Sequence, residues 1–297
     1  MSTPMLRFAA AALLFASIPA AAVCAQGLPG VGARPVAREP QSGEDAVKVS
    51  FAVVGDAKPG ATVRVAATFE IIPDWHIYWE NPGESGSPTQ VELDLPGGCS
   101  MPTAPSGRPR LDFPVPSVFT HGETVFGYEK SVTLSVEVKL PNPLPAAGLP
   151  VTARASWLVC KERCLMGRGE GRIDLAKPVS ADSKAAKALA ESIARLPKPL
   201  PADWKVTLAE VSGESAVLVF EAPASVGADT SWQFIPSDTP GVLLASGYRA
   251  EAKGTVLRVP LTLSREGAGE RPLEAAGLIV LGKNAPAYSF KIPVPGK

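Results

Sequence analysis

Two cysteines, Cys160 and Cys164, are the residues of this chain best suited to covalent chemistry, and three residues separate them. Along residues 153–159, before the pair, apolar and polar side chains roughly alternate, a period that is typical of a β-strand. Three alternate glycines within residues 167–171 are expected to interrupt the chain after the pair. We therefore predict a hairpin with one cysteine on each side of a three-residue tip, where the two Cβ atoms lie within disulfide range.

The small size of this loop favours a disulfide that opens and closes. Closing so short a loop restricts the unfolded chain by only about 2 kcal/mol, which adds little to a domain with a sizeable core. Exposed or strained short-loop disulfides are the ones that take part in thiol exchange. The charges of Lys161 and Arg163 would favour a thiolate, whereas Glu162 would oppose it. Thiol–disulfide exchange is thus the favoured interpretation, and an inert structural disulfide is the main alternative.

Metal binding is a further alternative for the pair. Zinc would need two more ligands, and none of the other soft donors stands at ligand spacing; these are His76, His121 and Cys99. Thiolate and thioether ligands suit Cu(I), and the candidate copper ligands are Cys160, Cys164, Met166 and Met101. One methionine beside a cysteine pair is a weak pattern. We therefore predict no metal and no cofactor.

The N-terminus has the pattern of a secretory signal peptide. In residues 1–25, Arg7 is the only charged side chain, an apolar segment follows it, and small residues precede a cleavage site after Ala25. Val23 does not suit lipoprotein processing at Cys24, so simple cleavage is expected. No other stretch approaches the roughly 20 apolar residues of a membrane span. We therefore expect a soluble, exported mature protein with no transmembrane segment.

Composition and charge indicate an all-β protein that does not bind nucleic acid. The chain has 31 prolines and 27 glycines, which are spread between short valine-rich segments. Such punctuation is typical of β-sandwiches. The chain has 29 basic and 29 acidic residues and no basic patch, which argues against a nucleic-acid partner.

The chain is long enough for two sandwich domains. Residues 26–45 are rich in glycine and proline and are expected to form a flexible lead-in. A first domain is predicted over residues 46–180 and a second over residues 203–297. Between them, residues 181–202 are expected to form a short helix, capped by Asp182 or Ser183, and a stiff Pro-rich linker.

Three blocks together carry a resemblance to a known family. They are Trp-His-Ile-Tyr-Trp-Glu-Asn-Pro-Gly-Glu-Ser-Gly at residues 75–86, Phe-Gly-Tyr-Glu at residues 126–129 and Trp-Leu-Val-Cys-Lys-Glu-Arg-Cys at residues 157–164. In this order they resemble the N-terminal periplasmic domain of the DsbD/ScsB thiol:disulfide interchange proteins, over about residues 46–180. The resemblance implies an immunoglobulin-like fold. We therefore expect two immunoglobulin-like β-sandwich domains joined by the helix and linker, as in the ScsB branch.

The resemblance also implies roles for individual residues. Cys164 matches the cysteine that exchanges with partners, and Cys160 matches its resolving mate. The segment around Val125, Phe126 and Tyr128 matches a cap loop whose aromatic side chain shields the pair, and we expect Phe126 to be that aromatic.

Further expectations concern the surroundings of the pair. By the same resemblance, Tyr78 and Glu129 lie near the cysteines. The segment 118–129 contains glycines and aromatic residues, and we expect it to fold over the site as a lid.

The expected function is therefore periplasmic electron transfer. The resemblance implies thioredoxin-fold or peroxiredoxin partners and a separate membrane electron donor of the DsbD/CcdA type. Full-length members of the family continue into membrane helices and a thioredoxin-like domain, whereas this chain resembles the periplasmic module alone. The second half of the chain contains no cysteine and no histidine, so we expect it to dock or orient partners.

Overall fold

Alternating apolar residues build a first β-sandwich, in which two antiparallel sheets face each other across one core. The computed structural model describes residues 39–104, 106–227, 231–237, 242–244, 250–263, 274–282 and 286–294. The elements of the first sandwich are α1 (Gly43–Ala46), β1 (Val47–Val54), β2 (Thr62–Ile71), β3 (His76–Gly83), β4 (Gln90–Leu93), β5 (Ser117–His121), β6 (Glu123–Glu129), β7 (Ser131–Lys139), β8 (Pro150–Cys160) and β9 (Cys164–Asp174).

The two sheets of this sandwich differ in size. One has three strands in the order β1-β2-β7, and the other has six. In the larger sheet, β8 pairs with β9 along its whole length on one side and with β4 and β3 on the other, and β6 and β5 follow β3. The core between the sheets contains Phe69 and Trp157, whose rings meet edge to face at 5.6 Å, and the fully buried Trp79. Edge-to-face contacts of this kind stabilise a core beyond the area they bury.

Strand β9 differs from the sequence prediction. The three glycines at 167, 169 and 171 do not interrupt the chain, because β9 is one continuous strand of 11 residues. All three lie on the inner face, where a Cβ at Gly167 would come within 2.4 Å of the Trp157 ring. A Cβ at Gly169 would similarly meet Val49, and one at Gly171 would meet Phe51. The glycines therefore allow β1 and the core aromatics to approach the backbone of β9 closely.

Helix α2 (Lys184–Ala194) follows the first sandwich and packs on its three-stranded sheet. Ser183 caps the helix by accepting a hydrogen bond from the Ala186 amide at 3.2 Å. Ser192 is buried and donates to the carbonyl oxygen of Thr133 in β7. Neither helix within the described residues has both the length and the apolar character needed to cross a lipid bilayer.

The second half of the chain forms a second pair of sheets. Its elements are β10 (Lys198–Pro199), β11 (Lys205–Ser212), β12 (Ser215–Glu221), a short 3-10 helix (Ala224–Val226), β13 (Trp232–Pro236), β14 (Val242–Leu244), β15 (Glu251–Lys253), β16 (Val256–Leu263), β17 (Glu274–Leu281) and β18 (Ala287–Pro293). One sheet has the order β10-β18-β17-β13, and the other β11-β12-β16-β14, with β15 also on β16. The predicted all-β fold is therefore confirmed.

The second sandwich has its own aromatic core and also contacts the first sandwich. Phe220, Phe234 and Phe290 pack together, with Phe220 and Phe290 edge to face at 4.8 Å. Two further side chains of this half, Ile235 and Leu278, are buried against the core of the first sandwich. The two sandwiches are therefore packed against each other.

Asp174, at the base of the β8–β9 hairpin, provides a test of how this hairpin is anchored. One carboxylate oxygen accepts hydrogen bonds from the Leu149 amide at 2.8 Å and the Ala176 amide at 3.0 Å. The bond from Leu149, then that from Ala176 and the nearby Lys177 charge, lower the pKa of this carboxyl. A depressed folded pKa stabilises the protein above the unfolded pKa and loses that effect as the pH falls through the folded value.

We expect Asp174→Asn to lower the free energy of unfolding at pH 7 by about 1 kcal/mol, because a charged acceptor is lost. This difference from wild type is expected to decline below about pH 4, where aspartate in the unfolded chain becomes protonated. Urea unfolding of both proteins between pH 7 and pH 2 measures it. A difference that is constant over this range would contradict the role of the charge.

Candidate functional site

The predicted cysteine hairpin is present at the tip of β8 and β9. Cys160 ends β8, Cys164 begins β9, and the two are opposite each other in the strand register. Their sulfurs form a disulfide, with the Cα atoms 4.2 Å apart. The three tip residues are exposed, and the Lys161 amide donates to the Arg163 carbonyl at 3.1 Å to close the turn. The local spacing of the cysteines therefore produces the disulfide without a distant partner.

The two cysteines differ in exposure. Cys160 is 3% exposed, whereas Cys164 is an exposed residue at the start of the edge strand β9. A thiol or thiolate that approaches from solvent can therefore reach Cys164 and is kept from Cys160. Access of this kind selects which sulfur of a disulfide takes part in exchange.

Cys160 lies on the outer face of the six-stranded sheet, away from the sandwich core. It forms a small apolar cluster with Tyr78 and Val125, against which Phe119 and Leu158 also pack. His76 is the strand partner of Cys160. The His76 ring stacks on Phe119 at 4.9 Å and meets Tyr78 edge-on at 5.1 Å. We call the side chains of His76, Tyr78, Phe119 and Val125 the outer-face cluster.

The structure brings two of the predicted neighbours to the cysteine and separates two others from it. Tyr78 and Val125 belong to the outer-face cluster, as their assignment to the site predicts. Phe126 and Tyr128 instead lie in the sandwich core, on the opposite face of the sheet. Phe126 contacts Trp79 edge-on at 6.3 Å, so it is not placed to shield the disulfide. The aromatic that packs with Cys160 from this segment is Phe119.

The physical reason for this difference is the period of β6. Residues 123–129 form a strand rather than a loop, so successive side chains point to opposite faces of the sheet. Val125 therefore faces the cysteine side while Phe126 faces the core. Segment 118–129 is a hairpin of β5 and β6 that turns at Gly122, and its register places Phe119 opposite Val125. An alternation count from Val125 across this turn is the sequence signal that could have identified Phe119.

The remaining predicted site residues are also strand residues. Tyr128 is buried, and its hydroxyl donates to the Pro114 carbonyl at 2.6 Å. Burial raises the pKa of the Tyr128 phenol well above its usual value, so it has a structural role as a neutral donor. Glu129 is exposed and is the strand partner of His76. It therefore lies near the cysteine end of the sheet without joining the outer-face cluster.

The end of the predicted lead-in packs against strand β9 of the cysteine hairpin. The predicted signal peptide and residues 26–38 lie outside the described residues, whereas α1 packs against β9. Gly43 is so close that a Cβ there would lie 2.4 Å from the Gly167 amide nitrogen. The Glu44 carboxylate accepts from the Arg168 amide at 2.8 Å, and Arg163 donates to the Pro40 carbonyl. Hydrogen bonds from backbone amides, those of Glu44 itself and Arg168, lower the pKa of the Glu44 carboxyl.

The structure separates Met101 from the other candidate copper ligands. Among the described residues no group of three or more histidine, cysteine or acidic side chains is close enough to hold a metal ion. Met101 and Cys99 lie beside Ser100, which pairs with Lys139 at the far end of β7. Cys160 is the strand partner of His76, and His76 that of Glu129, which places Cys160 near the Ser131 end of β7. The nine residues of β7 span about 25 Å. Met101 therefore cannot join a copper site with Cys160, Cys164 and Met166.

Comparison with known proteins agrees with this geometry. Residues 39–172 match the family model of the N-terminal domain of thiol:disulfide interchange protein DsbD. No curated protein sequence matches the chain significantly. Among solved structures, the N-terminal periplasmic domain of ScsB from Proteus mirabilis is 18% identical, with a TM-score of 0.64 over 84% of this chain and 94% of that one. That similarity shows that the two chains share a fold.

Two other matches to solved structures have low TM-scores. AvmM, which catalyses a macrocyclization in alchivemycin A biosynthesis, is 14% identical with a TM-score of 0.21 over 47% of this chain and 93% of that one. The collagen-binding MSCRAMM ACE of Enterococcus faecalis is 12% identical with a TM-score of 0.19 over 85% of this chain and 95% of that one. Scores this low do not indicate a common fold. Residues 39–172 of this chain therefore match the DsbD N-terminal domain model and contain the disulfide hairpin, and the chain shares its fold with the ScsB N-terminal periplasmic domain.

Proposed function

We propose that this protein is a periplasmic thiol–disulfide exchange module that passes electrons through the Cys160–Cys164 pair. The observation that supports this best is the asymmetry of the pair at the hairpin tip, with one cysteine buried under aromatic side chains and the other exposed. An inert disulfide would gain nothing from presenting one of its cysteines at the surface. A carrier needs one accessible sulfur for its partner and one protected sulfur that completes the reaction.

The chemistry proceeds through a mixed disulfide. In the reduced module, the Cys164 thiolate attacks the disulfide of the partner, and one partner sulfur leaves as a thiolate that takes up a proton. The Cys160 thiolate then attacks the Cys164 sulfur, which breaks the mixed disulfide and releases the second partner sulfur. The Cys160–Cys164 bond forms again, and two electrons have moved to the partner.

Regeneration requires an external dithiol. We propose that the donor is a separate membrane protein of the DsbD/CcdA type, or a thioredoxin-like domain that such a protein reduces. The acceptors are thioredoxin-fold proteins or peroxiredoxins. Export by the predicted signal peptide, with cleavage near Ala25, would place the module in the periplasm with these partners.

The outer-face cluster has a protective part in this scheme. His76, Tyr78 and Phe119 cover Cys160, so water and unrelated thiols meet only the Cys164 side of the bond. Phe119 lies on β5, the edge strand of the sheet, and its displacement by a docking partner would free Cys160 to resolve the adduct. In this proposal Phe119, rather than the expected Phe126, is the aromatic with which segment 118–129 covers the site.

The experiment that tests the proposal is trapping. Cys160→Ala, expressed in the cell that exports the protein, leaves Cys164 able to form a mixed disulfide that cannot be resolved internally. We expect a thioredoxin-fold protein or a peroxiredoxin to remain covalently attached, as seen by non-reducing gel electrophoresis and mass spectrometry. The matched control, Cys160→Ala with Cys164→Ser, is expected to carry no adduct. If Cys160→Ala, like the control, recovers no thiol-redox protein, the proposal that this protein is an electron carrier is wrong.

A further inference from the structure

Met166 stands out among the apolar side chains of the described residues. Its side chain is 72% exposed, more than the three other large apolar side chains that reach solvent, Val179, Ile193 and Val211. A single exposed apolar residue needs no explanation in general. Met166, however, lies two residues after the exposed Cys164 on the same strand, so a protein that docks at Cys164 would also contact Met166.

The register of β8 and β9 places Met166 on the same face as the reactive cysteine. Cys164 and Met166 both point outward, while Leu165 packs on the core between them. Two residues along a strand correspond to about 6.7 Å. Leu158, opposite Met166 in the register, also reaches the apolar cluster around Cys160. Met166 and Leu158 therefore form a small apolar surface beside Cys164.

We infer that Met166 is the residue through which the module recognises its thioredoxin-fold partner, and that the apolar surface beside the partner's cysteine covers it. The inference rests on the proposed exchange function. A partner sulfur bonded to Cys164 must come within about 2.05 Å of the Cys164 sulfur, so the surface around that sulfur must cover residues only about 7 Å away.

The typical size of a protein interface indicates how close each residue of β9 would lie to the centre of an interface around Cys164. A standard interface buries about 800 Å² on each partner, which corresponds to a patch with a radius of about 16 Å. Centred on Cys164, such a patch has Met166 near its middle, Arg168 near its rim at about 13 Å, and Arg172 outside it at about 26 Å. Residues that dominate binding lie near the centre of interfaces, and rim charges contribute little.

Methionine also suits the task that this position would have. Its unbranched, polarizable side chain adapts to differently shaped apolar surfaces, and it is over-represented where one surface binds several partners. The two cationic side chains beside the pair are already engaged, Lys161 with the Asp74 carboxylate at 3.2 Å and Arg163 with the Pro40 carbonyl. Recognition near the sulfur is therefore expected to be apolar rather than ionic.

The test compares a protein substrate with a small one. The protein substrate is the thioredoxin-fold partner recovered by the Cys160→Ala trap, and the small one is dithiothreitol, a dithiol that reduces the Cys160–Cys164 disulfide of the oxidised module. We expect Met166→Ala to lower kcat/KM for the protein partner about tenfold, mainly through KM, while the rate with dithiothreitol stays unchanged. Met166→Leu is expected to restore most of the activity because it keeps an apolar side chain of similar volume.

The matched controls lie on the same strand face. Arg168→Glu is expected to change the rate less than threefold and with a dependence on salt, and Arg172→Glu to leave it unchanged. Equal rates for wild type and Met166→Ala with the protein partner would overturn the inference, as would an equal loss with dithiothreitol. If the Cys160→Ala trap recovers no partner and wild type reduces none, the proposed function has failed instead.

Discussion

Cys164→Ser is expected to abolish exchange with any protein partner. The exposed thiolate is the only sulfur of the pair that a docked protein can reach, and a serine hydroxyl is not deprotonated at neutral pH. We expect the rate of partner reduction to fall by at least about 10³-fold, to the uncatalysed background. Stopped-flow or gel-based assays of partner reduction, with the module supplied in its reduced form, measure this rate.

Cys160→Ser gives a different result in the same assay. Cys164 still attacks the partner, so the mixed disulfide forms at close to the wild-type rate and then accumulates. The contrast between the two variants separates attack from resolution, which a simple loss of activity would not do. Exchange that survives in Cys164→Ser but is lost in Cys160→Ser would show that the buried cysteine is the entry point and that the exposure argument is wrong.

Cys99→Ser is the control for an incidental thiol. Cys99 is partly buried at the opposite end of the sandwich, and burial raises the pKa of its thiol. A thiol with a raised pKa has less of the reactive thiolate at neutral pH. We therefore expect Cys99→Ser to retain wild-type exchange rates with both substrates.

Local patterns in the sequence were sufficient to predict the cysteine hairpin and the all-β fold. The two cysteines need only a three-residue turn between alternating segments, so no distant contact decides their geometry. The choice between Phe119 and Phe126 was different. Both are aromatic residues of one segment, and only the register of the β5–β6 hairpin determines which of them faces Cys160. The resemblance implied a cap loop at this segment, and only its recognition as two strands that turn at Gly122 would have put Phe119 on the same face as Val125.

The two faces of the six-stranded sheet explain how a stable sandwich can carry a reactive disulfide. Inward residues of β8, such as Trp157 and Val159, build the core, while the outward Cys160 remains outside it. Opening the disulfide therefore removes no core contact. The hairpin is instead supported on the inner face of β9, where α1, β1 and the Trp157 ring approach the glycines closely. The backbone position of β9 is thus set by how closely other elements can approach those glycines.

Gly167→Ala is the substitution that tests this support. An ideal Cβ at position 167 would lie 2.4 Å from the Trp157 ring, which is itself buried and packed against Phe69. We expect overpacking to lower the free energy of unfolding by about 1–3 kcal/mol, measured by urea denaturation with the disulfide intact. Gly97→Ala is the matched control, because a Cβ there meets no heavy atom within 4 Å. It is expected to change stability by less than about 0.5 kcal/mol or to raise it slightly. Equal stabilities for the two variants would mean that β9 can shift freely and that the glycines do not fix the redox hairpin.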